Sequence, residues 1–194
     1  MSLFHDILSD MRSEATFSTC GLYRYNLLRV WNDMLPRACW IMLNPSTATA
    51  TTDDPTIRRC MGFARAWGYG GIEVVNLFAW RATDPAELLT QTSEKVGPDN
   101  DQHILESSAR CGVRIAAWGV HGKLGDRGRH VLAMLTHPLR EVYHLGLTKD
   151  GYPRHPLYVK GDTKLTPFVA ARAEAGTLHG QGDRRSDLKA CKGD

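Results

Sequence analysis

Residues 39–47 read CWIMLNPST, an apolar run that stops at Asn44-Pro45. A short, continuously apolar stretch of this kind is typical of a strand buried on both faces, as in a parallel sheet. An asparagine before proline, taken alone, is typical of a turn. The stretch therefore predicts a central strand and raises the question of what Asn44 does at its end.

Helices and strands alternate after this run. An Asp-Pro pair, which caps a helix and occupies its first turn, occurs at residues 54–55 and again at 84–85. Apolar periodicity predicts helices that end near residues 67, 110 and 135 and strands over 72–78, 113–118 and 141–145. This alternation predicts an α/β fold: a three-layer αβα arrangement with a mainly parallel central sheet of about four strands.

The two ends of the chain differ from this middle part. Apolar residues spaced by three and four predict a short helix over 1–14, and the alternating, aromatic stretch 15–31 predicts N-terminal strands that form a β-hairpin. The polar, glycine-rich segment 174–194 has no periodicity and is predicted to be disordered. We expect one domain over residues 1–173.

The composition narrows the classes of function. The chain has 194 residues, a formal net charge of +3 and five cysteines without a CxxC pair or a Cys/His grouping at metal-ligand spacing. We therefore predict neither a metal site nor a cofactor. No apolar run is long enough to span a membrane and the N-terminus lacks a signal-peptide pattern, so we expect a cytoplasmic protein without a membrane partner. The mild positive charge permits a polyanionic partner, and the sequence leaves the oligomeric state open.

Polar residues collect after each predicted strand. They are Asn44-Pro45-Ser46-Thr47, then Asn76 with residues 80–84, then Gly119 and His121, and finally residues 148–156. Because loops at the carboxyl ends of parallel strands converge, we expect these groups to form one site. Amides, hydroxyls, a histidine and nearby arginines suit a polar planar ligand with an anionic backbone.

Each residue also has a structural interpretation. Asn44 suits a turn, His155 suits an exposed position, and Asn76 in an apolar strand needs hydrogen-bond partners whether its role is structural or functional. The arginines of the segment 58–65 suit a solvated helix face, and Phe63 suits the core.

The stretch from about residue 20 to 167 closely resembles the family known as domain of unknown function 1643. The resemblance rests on MLNPSTATATTDDPTIRRCMGFARAWGYGG, VVNLFAWRATDP, AAWGVHG and GLTKDGYPRHPLY. The family name implies no activity.

The same motifs resemble, more distantly, those of the uracil-DNA glycosylase superfamily, in the same order along the chain. That superfamily has an Asn-Pro or Asp-Pro loop after its first central strand, a strand that ends in Asn, a strand that ends in Trp-Gly, and a His-Pro loop. Here the corresponding segments are 43–46, 75–76, 117–119 and 154–157. The resemblance implies a fold of the uracil-DNA glycosylase type and recognition of a base taken out of its stack.

The resemblance also implies roles for particular residues. Asn44 would orient the attacking water, Asn76 would read the base edge, and His155 would stabilise the leaving base. An amide cannot accept the proton of the water, and Asp53 and Asp54 have no counterpart in that superfamily. In an enzyme of free nucleotides or of phage DNA base modification, Asp53, Asp54 or Asp84 could serve as an acid or a metal ligand. Contacts with phosphates or with the base are expected from Ser46, Thr47, Arg58, Arg59, Arg81 and Arg154, and stacking from Phe63 or Phe78.

Four functions stay open on this basis. The favoured one is hydrolysis of the N-glycosidic bond of a modified or deaminated base in DNA. The second is a non-catalytic module that binds nucleic acid or a nucleotide. The third is an enzyme of free nucleotides or of phage DNA base modification, and the fourth is a structural domain whose polar strand ends are only caps and turns.

Overall fold

A single sheet organises the protein, for which the computed structural model describes residues 11–46, 48–82, 92–136 and 141–168. The sheet contains seven strands, in the spatial order β1-β2-β4-β3-β5-β6-β7. The strands are β1 Arg12–Phe17, β2 Arg24–Val30, β3 Arg37–Met42, β4 Gly71–Asn76, β5 Val113–Ala116, β6 Val142–His144 and β7 Thr166–Pro167. The helices are α1 Pro55–Ala66, α2 Thr92–Val96, α3 Asn100–Arg110 and α4 Arg127–Leu135, with 3-10 helices at Val120–Asp126 and Pro156–Tyr158.

The strands around β3 are parallel and the outer ones are antiparallel. β3 pairs in parallel with β4 on one side and with β5 on the other, and β5 pairs in parallel with β6. β2 runs antiparallel to both β1 and β4, and β7 runs antiparallel to β6. The predicted mixed α/β class is confirmed, but the described sheet is larger than the four strands expected, because β1 and β2 continue it at one edge and β7 continues it at the other.

Helices cover both faces of the sheet. One buried cluster joins Trp40 and Ile115 of the sheet to Ile57 and Phe63 of α1, and the other joins Ile41 to residues of α3 and α4. Successive residues of β3 belong to opposite clusters because side chains alternate along a strand. The apolar run at 39–43 is therefore buried on both faces, as expected.

The predicted N-terminal helix extends too far. Residues 12–14 belong to β1, which pairs with β2 in register Arg12↔Val30. The apolar residues with helical spacing end at Met11, so the pattern did not support a helix at residues 12–14. Three predicted segments lie outside the described residues: residues 1–10 of that helix, the start of a helix at residue 84, and the tail 174–194.

The loop between β3 and α1 is held by two arginines of β2. Nη1 of Arg24 donates to the carbonyl oxygen of Ala48 at 2.6 Å, and Nη2 of Arg29 donates to that of Thr49 at 2.6 Å. Arg29 also pairs with Asp53 at 2.9 Å. The loop that follows the Asn44-Pro45 turn is thus fixed to the antiparallel part of the sheet.

Within the described ranges, no helix combines the length and the apolar character that crossing a membrane requires.

Candidate functional site

A cavity of about 720 Å³ lies where the parallel strands end. Asn44 follows β3, Asn76 ends β4, Trp118 follows β5, and Thr148 and His155 belong to the segment after β6. Its lining comprises Arg24, Met42, Leu43, Asn44, Ser46, Asp54, Thr56, Ile57, Val74, Asn76, Ala82, Trp118, Gly119, Val120, His121, Thr148, Lys149, Arg154, His155 and Tyr158. The convergence expected of the strand ends is therefore present for Asn44, Asn76 and His155.

Asn44 uses one end of its amide for structure. Nδ2 donates to the carbonyl oxygen of Ala82 at 2.7 Å and to that of Pro45 at 3.1 Å. These two bonds join the loops after β3 and β4 and orient the amide. The oxygen Oδ1 remains the group that Asn44 can offer a ligand or a water, and it can only accept a hydrogen bond.

Asn76 has a buried amide without a protein partner. Its side chain is 1% exposed, and Nδ2 has no hydrogen-bond partner in the described structure. Its backbone is well held, because the Asn100 amide donates to the carbonyl oxygen of Asn76 at 2.9 Å. A buried donor left unpaired costs about 1–3 kcal/mol, which a hydrogen bond to a ligand atom or a water at Nδ2 would offset.

Asp54 places a carboxylate at the cavity. Its Oδ1 accepts from the backbone N–H of Ile57 at 2.8 Å and so caps α1, as the Asp-Pro signal predicted. Asp53 does not line the cavity, because its carboxylate pairs with the buried guanidinium of Arg29. Asp84, the third acid considered, lies outside the described residues.

His155 is oriented by its own loop. Its Nδ1 accepts from the backbone N–H of Leu157 at 3.3 Å, so the proton of the neutral ring is on Nε2. Burial lowers the pKa of His155, and the charge of Asp54 acts in the opposite direction. The ring at neutral pH is therefore an uncharged donor through Nε2.

Arg24 contributes a buried cation. Its side chain is 2% exposed, and Nε has no hydrogen-bond partner. Burial lowers the pKa of the guanidinium to about 10, with Asp54 acting in the opposite direction, so the group remains charged at neutral pH. Arg24 reaches this edge because β2 runs antiparallel to β4, which puts the start of β2 beside the end of β4.

Trp118 and Gly119 shape another wall of the cavity. The indole of Trp118 packs against Gly122 so closely that a Cβ there would overlap the ring. Gly119 has a φ of +72°, which favours glycine, and its N–H donates to the carbonyl oxygen of Pro153 at 2.9 Å. The Trp-Gly segment is thereby tied to the loop that carries His155.

The two phenylalanines expected to stack on a base lie elsewhere. Phe63 is 2% exposed and packs with Trp40 and Trp67 on the α1 side of the sheet. Phe78 is 1% exposed in the opposite cluster. Neither lines the cavity, because alternation along β4 and the stripe of α1 direct both rings into the core, so we assign stacking to neither.

Of the four arginines expected to contact phosphates, only Arg154 lines the described cavity. Arg154 lines the cavity and is exposed. Arg59 instead donates to the carbonyl oxygen of Val159 at 2.7 Å, Arg58 donates to that of Asp53, and Arg81 donates to that of Gly21 at 3.2 Å. Arg154 likewise donates from Nε to the carbonyl oxygen of Leu147 at 3.1 Å, so all four arginines bond to loop carbonyls and Arg154 differs from the other three only in lining the cavity.

Ser46 lines the cavity as expected, whereas Thr47 lies outside the described residues. Among the polar lining residues, Arg24, Thr56 and Tyr158 were not singled out from the sequence. Arg24 carried a usable signal, since a charged residue in an apolar, aromatic strand needs a partner. Tyr158 is 79% exposed at the cavity and has its ring 5.6 Å from that of His155, which makes it the accessible aromatic here.

Among residues 11–46, 48–82, 92–136 and 141–168, no group of three or more His, Cys, Asp or Glu side chains could hold a metal ion.

The fold and the cavity together define an α/β protein with a largely apolar cavity at the carboxyl edge of its parallel strands, into which a few polar and charged side chains converge. The chain belongs to the family described as protein of unknown function (DUF1643), whose model matches residues 24–157. Comparison with curated proteins gave no match, and neither did comparison with solved structures. The matched region contains every lining residue of the cavity except Tyr158.

Proposed function

We propose that this cavity recognises a nucleobase and hydrolyses the N-glycosidic bond of a modified or deaminated base in DNA. The observation that carries the proposal is that Asn44, Asn76 and His155 line one cavity. They come from the segments that follow β3 and β6 and from the end of β4, and each lies in a segment that distantly resembles a motif of the uracil-DNA glycosylase superfamily. The parallel strands and the helices on both faces support a relationship to the three-layer fold of that superfamily.

The cavity suits a base in size and in polarity. Its volume of about 720 Å³ falls within the range of roughly 300–1,000 Å³ typical of small-molecule sites. The unpaired amide of Asn76 can donate to a carbonyl and accept from a ring N–H, which is the pattern that the edge of a pyrimidine or oxopurine presents. Tyr158 can stack on a base that enters the cavity.

Hydrolysis requires a held water, a proton acceptor and a stabilised leaving group. In the proposed reaction, Oδ1 of Asn44 accepts a hydrogen bond from the water, whose oxygen bonds to C1′ of the sugar. The bond between C1′ and the base nitrogen breaks, and its electron pair leaves with the base. Nε2–H of His155 donates to the oxygen of the departing base as negative charge develops on it.

Asp54 supplies the proton acceptor that Asn44 cannot be. Of the three acids considered from the sequence, it is the one that the structure describes at the cavity. In the proposed reaction the proton of the water passes to its carboxylate. The released base then takes a proton from solvent and Asp54 returns the proton of the water to solvent, so charge and atoms balance and the carboxylate is restored.

Incubation with defined oligonucleotides tests the proposal. Single-stranded and duplex DNA with one uracil, hypoxanthine, xanthine or hypermodified pyrimidine is incubated with the protein and then treated with alkali, which cleaves abasic sites. We expect strand breaks at one of these bases, reduced about a hundredfold or more in Asn44→Ala and His155→Ala. Arg129→Gln, altered at an exposed arginine of α4 that does not line the cavity, should cleave as the wild type does.

Binding without cleavage would contradict hydrolysis and support the binding-module alternative. Absence of both binding and cleavage at low salt, where phosphate contacts are strongest, would contradict action on DNA. The carboxylate of Asp54 and the cation of Arg24 in one cavity favour, as the second candidate, an enzyme of free nucleotides. A screen of free nucleotides with and without divalent metal ions tests that candidate directly.

A further inference from the structure

Two arginines of β2 are equally buried but differently paired. Arg29 is 1% exposed and forms an ion pair with Asp53 at 2.9 Å. Arg24 is 2% exposed, and none of the described carboxylates lies within ion-pair distance of it. The same strand thus carries one arginine in an ion pair and one without an ion pair, since Asp54 acts on Arg24 across the cavity only through its charge.

The hydrogen bonds of Arg24 leave part of its guanidinium unused. Nη1 donates to the carbonyl oxygen of Ala48, whereas Nε is buried without a partner. Arg29 by contrast uses Nε, Nη1 and Nη2 in bonds to protein oxygens. A buried charge with unused donors is costly unless an anion completes it, and a guanidinium fork suits the oxygens of phosphate or carboxylate.

We propose that Arg24 is an oxyanion-binding subsite inside the cavity, so that the ligand carries a phosphate or carboxylate group that is buried with it. Such a group would be the 5′-phosphate of a nucleotide or an acidic substituent on the base itself. The neutral amide of Asn76 and the cation of Arg24 would then read two parts of one ligand, its heterocycle and its charge. The inference holds for a free nucleotide and for a nucleotide in a strand, and it does not depend on hydrolysis.

Anion binding to purified protein tests this subsite. Inorganic phosphate is titrated at constant ionic strength against sodium chloride, with binding measured by calorimetry and by the shift in melting temperature. We expect Arg24→Gln to weaken phosphate binding about ten- to a hundredfold, which corresponds to losing a hydrogen bond to a charged group. Arg24→Lys should bind with intermediate affinity, because it keeps the charge and loses the fork. Arg129→Gln, at an exposed arginine of α4 that does not line the cavity, should bind phosphate as the wild type does.

A second measurement does not require the variants to be stable. The Nε–H signal of Arg24 in ¹⁵N-labelled wild-type protein should shift during the phosphate titration, and the Nε–H signal of Arg29 should not. An unchanged Arg24 signal while phosphate binds would overturn the inference, because the exposed Lys149 or Arg154 would then hold the anion. No phosphate binding at all would also overturn it.

Paired ligands then identify the source of the charge. Preference for thymidine 5′-monophosphate over thymidine would indicate the nucleotide phosphate, and preference for 5-carboxyuracil over uracil would indicate an acidic base. Loss of either preference in Arg24→Gln is the expected result; equal affinity within both pairs in the wild type would contradict the subsite. Failure of oligonucleotide cleavage would leave these preferences unaffected, so the two proposals can fail separately.

Discussion

Asp53 and Asp54 are adjacent in the chain, yet their carboxylates serve different parts of the molecule. Asp53 pairs with buried Arg29 and holds the loop after β3, whereas Asp54 caps α1 and lines the cavity. The pair therefore offers a test in which one side chain reports on stability and its neighbour reports on chemistry.

Asp54→Asn should lower the rate of strand cleavage about a hundredfold or more, because the amide cannot accept the proton of the water. The melting temperature should change little, since asparagine is a good helix N-cap. Asp53→Asn should instead lower the free energy of unfolding by about 1.5–3 kcal/mol. Its cleavage rate, measured at a temperature where the variant is still folded, should equal that of the wild type. Equal rates in the two variants would remove Asp54 from the mechanism.

His155 should titrate below the ordinary histidine value of about 6.5, because burial lowers its pKa. The unfolded state then binds more protons than the folded state between the two pKa values. The stabilising contribution of His155 is thus complete above about pH 6.5 and is lost as the pH falls through the folded pKa. Urea unfolding from pH 7.5 to 5.5 should show a steeper loss of stability in the wild type than in His155→Gln.

The charge of Asp54 is coupled to the protonation of His155, the proposed donor to the leaving base. Because the charge of Asp54 raises the pKa of His155, Asp54→Asn should lower that pKa further. A pH titration of the His155 ring signals by NMR measures the change directly. A rise in the His155 pKa on this substitution would show that the two side chains are not electrostatically coupled as described.

Arg59 should affect ligand binding without contacting the ligand. It donates to the carbonyl oxygens of Val159 and Pro156, and so holds the segment that carries His155 against α1. Arg59→Gln should weaken nucleotide binding several-fold and broaden the His155 NMR signals, because the loop loses its fixed position. Arg58→Gln is the matched control: the neighbouring arginine is exposed and bonds only to the carbonyl oxygen of Asp53. Equal effects of the two substitutions would contradict this positioning role.

Gly122 should tolerate no side chain, because an added methyl group would overlap the indole of Trp118. We expect Gly122→Ala to lower the free energy of unfolding by about 1–3 kcal/mol and to shift tryptophan fluorescence as the ring moves toward the cavity. Gly62 of α1 has no atom within 4 Å of an added Cβ. Gly62→Ala should therefore stabilise the protein by about 0.5–1 kcal/mol, and destabilisation by both changes would contradict the packing described.

The local patterns predicted much of the fold because caps and apolar periods are local properties. Asp54-Pro55 begins α1 as the sequence indicated, and the buried run of β3 lies between parallel neighbours. The convergence of Asn44, Asn76 and His155 followed from the rule that parallel strands present their ends at one edge. That these three residues share one site could be predicted without knowing the order of the strands in the sheet.

The rest of the site depends on information that no local pattern contains. Arg24 reaches the cavity only because β2 joins the edge of β4 in the antiparallel sense, and neither neighbour nor direction is encoded within β2. Phe63 and Phe78 are core residues. In the sequence they cannot be told from residues that stack on a base, because a core aromatic and a stacking aromatic both occur within apolar stretches. Arg58 and Arg59 are one position apart on a helix. Arg59 bonds to the segment that carries His155 and Arg58 does not, because that segment packs beside Arg59.

The cavity lining comes from almost the whole described chain, from Arg24 at the start of β2 to Tyr158 in the last 3-10 helix. Contacts between residues so distant in sequence form late and slowly during folding, because the entropy of closing long loops must be overcome first. The pocket can therefore exist only after every parallel strand has been added to the sheet. Ligand binding during refolding should appear after the helical signal has recovered, which makes the cavity a reporter of complete assembly of the native chain.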